Sequence, residues 1–248
     1  MPFLTLPCLR SALLWLGCGI GFLALPMNLH AQKRIQEVRG RVQPRLESEF
    51  SDAGVGFGSP VFIRIFKEEA EFELWVKPDH QAAYKRFKTW PVAKYSGTLG
   101  PKLQEGDGQA PEGFYSVSKG QLNPNSNFHL SFNIGYPNAY DRQHQRTGSL
   151  IMVHGSNVSI GCFAMTDPVI EEIYLAVEAA LVAGQQSVPV HVFPFRMTPE
   201  RMAKASAETS PWLEFWRELQ PGFAAFEVSH IPPKIEVKAD GRQALVSH

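Results

Sequence analysis

The stretch SLIMVHGSNVSIGCFAMTDPVIEEIYLAVEAALVAGQQSVPVHVF, Ser149 to Phe193, sets the architecture. SLIMV is a short apolar run of the kind that forms a buried strand, and it ends at His154-Gly155. A helix is signposted next, with Asp167 at the N-cap, Pro168 at the first helical position, Glu171 and Glu172 in the first turn and Gly184 beyond the end. Its apolar residues Val169, Ile170, Ile173, Val177, Ala180 and Leu181 recur at intervals of three and four, so one face is expected to pack on a sheet. SVPVHVF then alternates as a strand. Strand, loop, helix and strand together read as a crossover unit.

Upstream, VFIRIFKEEAEFELWV (Val61 to Val76) alternates apolar and charged residues on both sides of Lys67 to Ala70, which predicts a hairpin with one face buried. A short helix is expected over Asp79 to Phe87, and strand character resumes from Thr89 to Ser96. A loop rich in Gly and Pro follows from Leu99 to Gly113, then the strand FYSVS. Gln121 to Gly148 is rich in Asn, Tyr, Gly and His and suits a substrate-facing loop around the alternating LSFNIGYP. Gln32 to Asp52 is polar, with a weak helical rhythm in Ile35, Val38 and Val42 before Pro44, and is read as an extension without chemistry. Beyond Thr198-Pro199-Glu200 two helical stretches are expected, the second carrying Trp212, Phe215, Trp216 and Leu219 on one side, before a polar tail.

The first 31 residues, MPFLTLPCLRSALLWLGCGIGFLALPMNLHA, carry Arg10, an apolar run from Ala12 to Leu25, a break at Pro26 and a small residue at Ala31. That is the pattern of a secretory signal peptide. The run of about 14 apolar residues is shorter than the roughly 20 that span a bilayer, so no stable membrane span is expected. Leu16-Gly17-Cys18 also resembles the end of a lipobox, but Trp15 stands where such a box prefers Leu. With Cys8 and Cys18 removed, Cys162 is left without a cysteine partner, a thiol either buried and inert or kept for its reactivity.

The chain's 24 Lys and Arg balance its 24 Asp and Glu, and 44% of its 248 residues are hydrophobic. This composition excludes disorder and collagen, and it leaves no electrostatic footprint for nucleic acid. No cluster has metal-ligand spacing, and no Gly-rich phosphate loop appears. No cofactor is expected.

His154 and Cys162 lie eight residues apart, with Gly155 after the histidine and Gly161 before the cysteine. A thiol attacking a carbonyl needs a base within reach and N–H groups for the oxyanion. Gly161 permits a tight turn with its N–H free, and the N-terminus of the following helix would lower the thiol pKa if it points at Cys162. Ser159 is placed to orient the imidazole or to cap the turn. Asp167 reads first as a helix cap.

At these residues the sequence resembles the L,D-transpeptidase catalytic domain of the YkuD type, whose active-site signature is a His-Gly followed by Ser-x-Gly-Cys. Here these are His154-Gly155 and Ser159-Ile160-Gly161-Cys162. Ala110-Pro111-Glu112-Gly113-Phe114-Tyr115-Ser116-Val117 resembles the family's Thr-Pro-x-Gly-x-Phe-x-Ile segment, and Tyr95-Ser96-Gly97 sits where members carry a Ser-Thr-Gly strand end. Within the family, QLNPNSNFHLSFNIGYPNAYD and VHGSNVSIGCFAMTD are similar to the YafK subgroup, which includes an amidase that releases lipoprotein from murein.

The resemblance implies an α+β fold, mainly β: a mixed-strand catalytic domain with an active-site helix and a helical C-terminal appendage. The expected division is a signal peptide over 1–31, an N-terminal extension over 32–58, the catalytic domain over 59–196, and the appendage and tail over 197–248. It implies a periplasmic enzyme acting on peptidoglycan stem peptides. Cys162 would be the nucleophile at the carbonyl of the L-centre of diaminopimelate, His154 its base, and the N–H groups of Cys162 and Gly161 the oxyanion hole. His129, Tyr136 and Arg142 are the candidates to meet substrate, Arg142 through a carboxylate.

The chain departs from cross-linking members. His and Cys lie only eight positions apart, Ile160 replaces a second histidine, and Ala164 replaces an arginine two after the cysteine. These departures favour hydrolysis, as an amidase on the murein-attached lipoprotein or a carboxypeptidase, over cross-linking. The alternatives are a transpeptidase that forms diaminopimelate cross-links or attaches lipoprotein and, from another class, an inactive wall-binding module.

Overall fold

The computed structural model describes residues 29–246. The signal-peptide reading of 1–31 falls outside them as far as residue 28, and Leu29 to Ala31 form the first turn of a helix. In chain order the elements are α1 (Leu29–Asp52), β1 (Val61–Phe66), β2 (Glu71–Val76), β3 (Lys85–Pro91), β4 (Lys94–Tyr95), β5 (Gly113–Val117), β6 (Leu122–Asn123) and β7 (Ser131–Asn133). There follow α2 (Ala139–Gln143), β8 (Met152–His154), β9 (Phe163–Ala164), α3 (Asp167–Val182), β10 (Val188–Phe193), α4 (Pro199–Ala207), α5 (Leu213–Ser229), β11 (Ile235–Val237) and β12 (Gln243–Leu245). The fold is mixed α+β, with two five-stranded sheets and a small C-terminal hairpin of β11 and β12.

The first sheet has the order β3-β2-β1-β10-β5. The expected hairpin is present, β1 pairing antiparallel with β2 from Val61↔Val76 to Phe66↔Glu71. Its strands are buried almost throughout, unlike a strand pair with one wet face. The period of two explains this. Val61, Ile63 and Ile65 join a core with α1 and α3, while Phe62 and Phe66 pack with α5 residues Phe226 and Phe223 on the other side. The C-terminal helix, expected in an appendage, therefore covers the second face of the sheet. The helix expected over Asp79 to Phe87 does not form, because Lys85 onward is drawn into the edge strand β3 against β2.

The polar N-terminal segment is one long helix. Ile35, Val38, Val42, Leu46 and Phe50 are buried in the main core, and Pro44 lies inside the helix on its exposed side. Its arginines are explained by α3: Arg39 meets Glu178 at 2.8 Å, Arg41 meets Glu171 at 2.7 Å, and Arg45 meets Glu172 at 2.5 Å.

The second sheet has the order β4-β9-β8-β7-β6 and carries the His154 and Cys162 region. β8 and β9 run parallel, and β7 lies antiparallel to β8. The strands flanking α3 thus belong to different sheets, β8 to this one and β10 to the first, where β10 runs parallel to β1. Among the described residues no helix is long and apolar enough to cross a membrane.

Candidate active site

Pairing places the chemistry. Val153 stands beside Phe163 and His154 beside Ala164, so Cys162, one residue before β9, lies next to Met152. Val153 and Phe163 point into the core, and by alternation Met152, His154 and Cys162 share the opposite face. The same face continues across the sheet, because His154 is the partner of Ser131 on β7 and Ser131 the partner of Asn123 on β6. These residues floor a groove of about 550 Å³, walled by Asn125 to Phe128 on one side and by Leu150 and Val158 to Ile160 on the other.

The His154 imidazole is buried, 3% exposed, and Phe128 packs on it with ring centroids 4.9 Å apart. Nδ1 lies 2.6 Å from the carbonyl oxygen of Gly155. A carbonyl only accepts, so Nδ1 carries the proton and Nε2 holds the lone pair of a base. Burial lowers the imidazole's pKa below the ordinary histidine value, and the Gly155 carbonyl opposes that shift. The ring is neutral at pH 7.

The Cys162 thiol sits in backbone. Its Sγ accepts from the Met152 N–H at 3.3 Å and faces the Leu150 carbonyl at 3.6 Å. No hydrogen bond joins it to His154 among the described residues. Burial raises the thiol's pKa, against smaller opposing effects of the Met152 N–H and the Lys102 ammonium. The expectation of a thiol lowered by a helix N-terminus is corrected here: burial dominates, and the start of α3 serves the neighbouring turn instead. Resting Cys162 is a thiol beside a neutral imidazole.

That turn explains Gly155 and Asp167. A Cβ on Gly155 would stand 2.5 Å from Asp167 Oδ1 and 2.8 Å from the Phe128 carbonyl oxygen, so only glycine fits. Asp167 Oδ1 accepts from the Ser156 N–H at 2.7 Å, and the helix cap position belongs to Thr166. On the cysteine side, Gly161 takes φ +88°, a conformation that favours glycine. Its N–H is occupied, donating to Ser96 Oγ at 2.5 Å, while Ser96 Oγ donates to the Gly108 carbonyl at 2.6 Å. This corrects the reading of Gly161 as an oxyanion donor. The Cys162 N–H has no hydrogen-bond partner among the described residues and keeps that candidacy. Ser159 Oγ donates to the Cys162 carbonyl at 2.6 Å, so it closes the turn and does not orient the imidazole.

The three residues expected to meet substrate lie elsewhere. His129 has φ +68° and turns toward α3, its Nε2 2.7 Å from Glu171 Oε1, away from the groove lining. Tyr136 is buried, its hydroxyl within hydrogen-bond distance of the carbonyls of Lys102 at 3.1 Å and Thr147 at 3.2 Å. Arg142 bonds the Pro137 carbonyl and borders a separate cavity beside β5 and β10. In their place the groove takes Asn123, Asn125, Ser126, Asn127, Phe128 and Ser131. Arg34 of α1 fixes that wall, donating to the carbonyls of His129 at 2.5 Å and Ser126 at 2.9 Å. No group of three or more His, Cys, Asp and Glu able to hold a metal ion occurs among the described residues.

Residues 68–192 match the L,D-transpeptidase catalytic domain, YkuD. Over 188 residues the chain is 48% identical to YafK of Escherichia coli strain K12, a protein classed by name with the L,D-transpeptidases, covering 76% of this chain and 74% of that relative. The chain belongs to the L,D-transpeptidase catalytic domain family. YafK of Escherichia coli O157:H7 matches to the same extent. Among solved structures, the helical cell shape determining protein Pgp2 from Campylobacter jejuni aligns with a TM-score of 0.44 and 17% identity, over 78% of this chain and 80% of that one. As a member of this family the chain is a peptidoglycan-related enzyme.

Proposed function

We propose that this family member is a periplasmic cysteine hydrolase of peptidoglycan peptides, an amidase that releases murein-bound lipoprotein. The observation that carries the cysteine chemistry is the pairing of β8 with β9, which opens a thiol and a neutral imidazole with a free Nε2 into one groove. In this reading Cys162 Sγ attacks the carbonyl at the L-centre of diaminopimelate while His154 Nε2 takes the thiol proton. The tetrahedral oxyanion is met by the Cys162 N–H, a type of donor worth about 10² to 10³ in rate. Collapse expels the amine, which leaves with the proton from His154, and water then cleaves the thioester.

Hydrolysis is favoured by the residues that follow and precede the nucleophile. Ala164 is fully buried in β9 and offers no cation two residues after the nucleophile, and Ile160, 86% exposed, gives the rim an apolar side chain in place of a second histidine. The relative's name favours a second reading, L,D-transpeptidation with a diaminopimelate amine as acceptor.

One digestion separates them. Murein sacculi bearing tetrapeptide stems and attached lipoprotein peptide are incubated with the protein or its Cys162→Ala variant, and the products are read by mass. Cysteine-dependent release of lipoprotein peptide supports the amidase, loss of terminal D-Ala indicates a carboxypeptidase, and new diaminopimelate cross-links indicate the transpeptidase. Sacculi left unchanged by folded protein sink the enzymatic reading and point to a wall-binding module.

A further inference from the structure

The row Asn123, Ser131, His154 runs across three neighbouring strands on the floor of the groove, and Cys162 lies beyond it on the other side of β8. The middle member stands out. Ser131 is 1% exposed, it lines the groove, and its hydroxyl oxygen is buried with no hydrogen-bond partner. A buried hydroxyl left unpaired works against folding, so its place beside the base calls for a partner that arrives with the reaction. The bonds that His154 and Cys162 do make lie elsewhere, His154 Nδ1 at the Gly155 carbonyl and Cys162 Sγ at the Met152 N–H, and neither involves the Ser131 hydroxyl.

We propose that Ser131, with Asn123 behind it, is the binding site for the leaving amine and then for the water that replaces it, and so sets the enzyme's choice of acyl acceptor. The proposal rests on the thioester reading above. Ser131 is the register partner of His154 on β7, while Cys162 lies on the other side of β8, level with Met152, so a group that exchanges a proton with Nε2 and is not the thiol falls on the Ser131 side. An amine leaving the tetrahedral intermediate takes the Nε2 proton and donates one of its own N–H groups to Ser131 Oγ. Water then occupies the same place, donating one proton toward His154 Nε2 and the other to Ser131 Oγ. Its oxygen adds to the thioester carbonyl as Nε2 takes the proton. The carbon–sulfur bond breaks, sulfur leaves with the electron pair and recovers the proton from Nε2, and the products are a carboxylic acid and the free Cys162 thiol. Asn123, the register partner of Ser131 on β6, extends the polar row outward.

The test compares the full protein with Ser131→Ala and Asn123→Ala. Sacculus turnover, the amount of Cys162 thioester seen by intact mass, the melting temperature and the rate of Cys162 alkylation by iodoacetamide are measured for each. Ser131→Ala is expected to slow turnover at least about tenfold and to accumulate the thioester. Its melting temperature is expected to stay the same or rise, because an unpaired buried hydroxyl has been removed, and its alkylation rate is expected to be unchanged. Asn123→Ala should act in the same direction and more weakly. Unchanged turnover in both variants, or slower turnover without thioester accumulation, overturns the proposal. If Ser131→Ala melts early, Asn123→Ala decides alone by the same two readouts. A wild-type protein that never forms a Cys162 thioester overturns the functional reading itself, and this inference with it.

Discussion

The backbone N–H of Gly161 donates to Ser96 Oγ at 2.5 Å, across 65 residues of chain. The bond ties the turn before Cys162 to the start of the Gly-rich loop, and Ser96 passes it on to the Gly108 carbonyl. In Ser96→Ala the Gly161 N–H loses its partner in a half-buried turn. The expected result is a loss of about 1–3 kcal/mol of stability in chemical denaturation, with a larger fall in turnover than in substrate affinity. Unaltered stability together with unaltered turnover would show that the Gly-rich loop has no hold on the Cys162 turn.

The protonation states fix the pH dependence. Burial lowers the His154 pKa and raises that of Cys162, so at neutral pH the pair rests uncharged, and in the proposed mechanism the proton moves during attack. A base is lost when it is protonated, and His154 takes a proton only below the ordinary histidine value. The acid limb of kcat/KM is therefore expected to have its midpoint below pH 6.5, the unperturbed value for histidine. Alkylation of Cys162 by iodoacetamide should be slow at pH 7 and climb roughly tenfold per pH unit through pH 9, following the small thiolate fraction. Fast alkylation at pH 6 would mean a resting thiolate–imidazolium pair and contradict this picture.

The groove wall depends on a residue far from the signature. Arg34 of α1 holds the carbonyls of Ser126 and His129, and between these lies Phe128, which packs on the His154 ring. Arg34→Ala removes two charge-assisted bonds from that wall, each of a kind worth about 1.5–3 kcal/mol. KM for a stem-peptide substrate is expected to rise several-fold, and the acid limb of the pH profile to move up toward the ordinary histidine value, because the wall that buries the His154 ring is loosened while the Nδ1 bond to Gly155 stays. An unmoved KM would detach α1 from the site.

Local pattern in the sequence carried the strand, turn and helix around Val153 to Val182, because glycine requirements and a helical period are short-range signals, but the expected crossover unit is not formed, since β8 and β10 lie in different sheets. It did not carry the meaning of Arg39, Arg41 and Arg45, whose partners Glu178, Glu171 and Glu172 lie about 130 residues away and become neighbours only when α1 lands on α3. The weak rhythm of Ile35, Val38 and Val42 before Pro44 is likewise part of one longer helix, which continues through Pro44 with the proline on its wet side. The polar segment Gln121 to Gly148 was legible as a groove wall, but not the aim of its side chains. Register puts Ser131 beside His154, whereas a left-handed φ turns His129 to Glu171 and burial takes Tyr136 into the core. The alternation of Asn123, Asn125 and Asn127 was the signal available for the residues that line the groove.

Behind the Gly-rich loop, Lys67 and Glu112 form an ion pair at 2.9 Å with neither side chain exposed. The ammonium also donates to the carbonyls of Gly100 and Ala110, at 2.9 and 3.0 Å. The carboxylate accepts from the Gly100 N–H at 2.6 Å and from the Trp216 indole at 2.8 Å. The pair thus clamps both ends of the loop that carries Gly108, and it joins the β1–β2 turn to α5. Removing one partner leaves the other buried and uncompensated, which costs about 3–5 kcal/mol. Glu112→Gln and Lys67→Met are each expected to lower the melting temperature sharply, and the double variant should recover part of the loss because no unpaired charge remains. Single variants as stable as the parent protein in denaturant titration would show that water reaches the pair and that the clamp does not hold the loop.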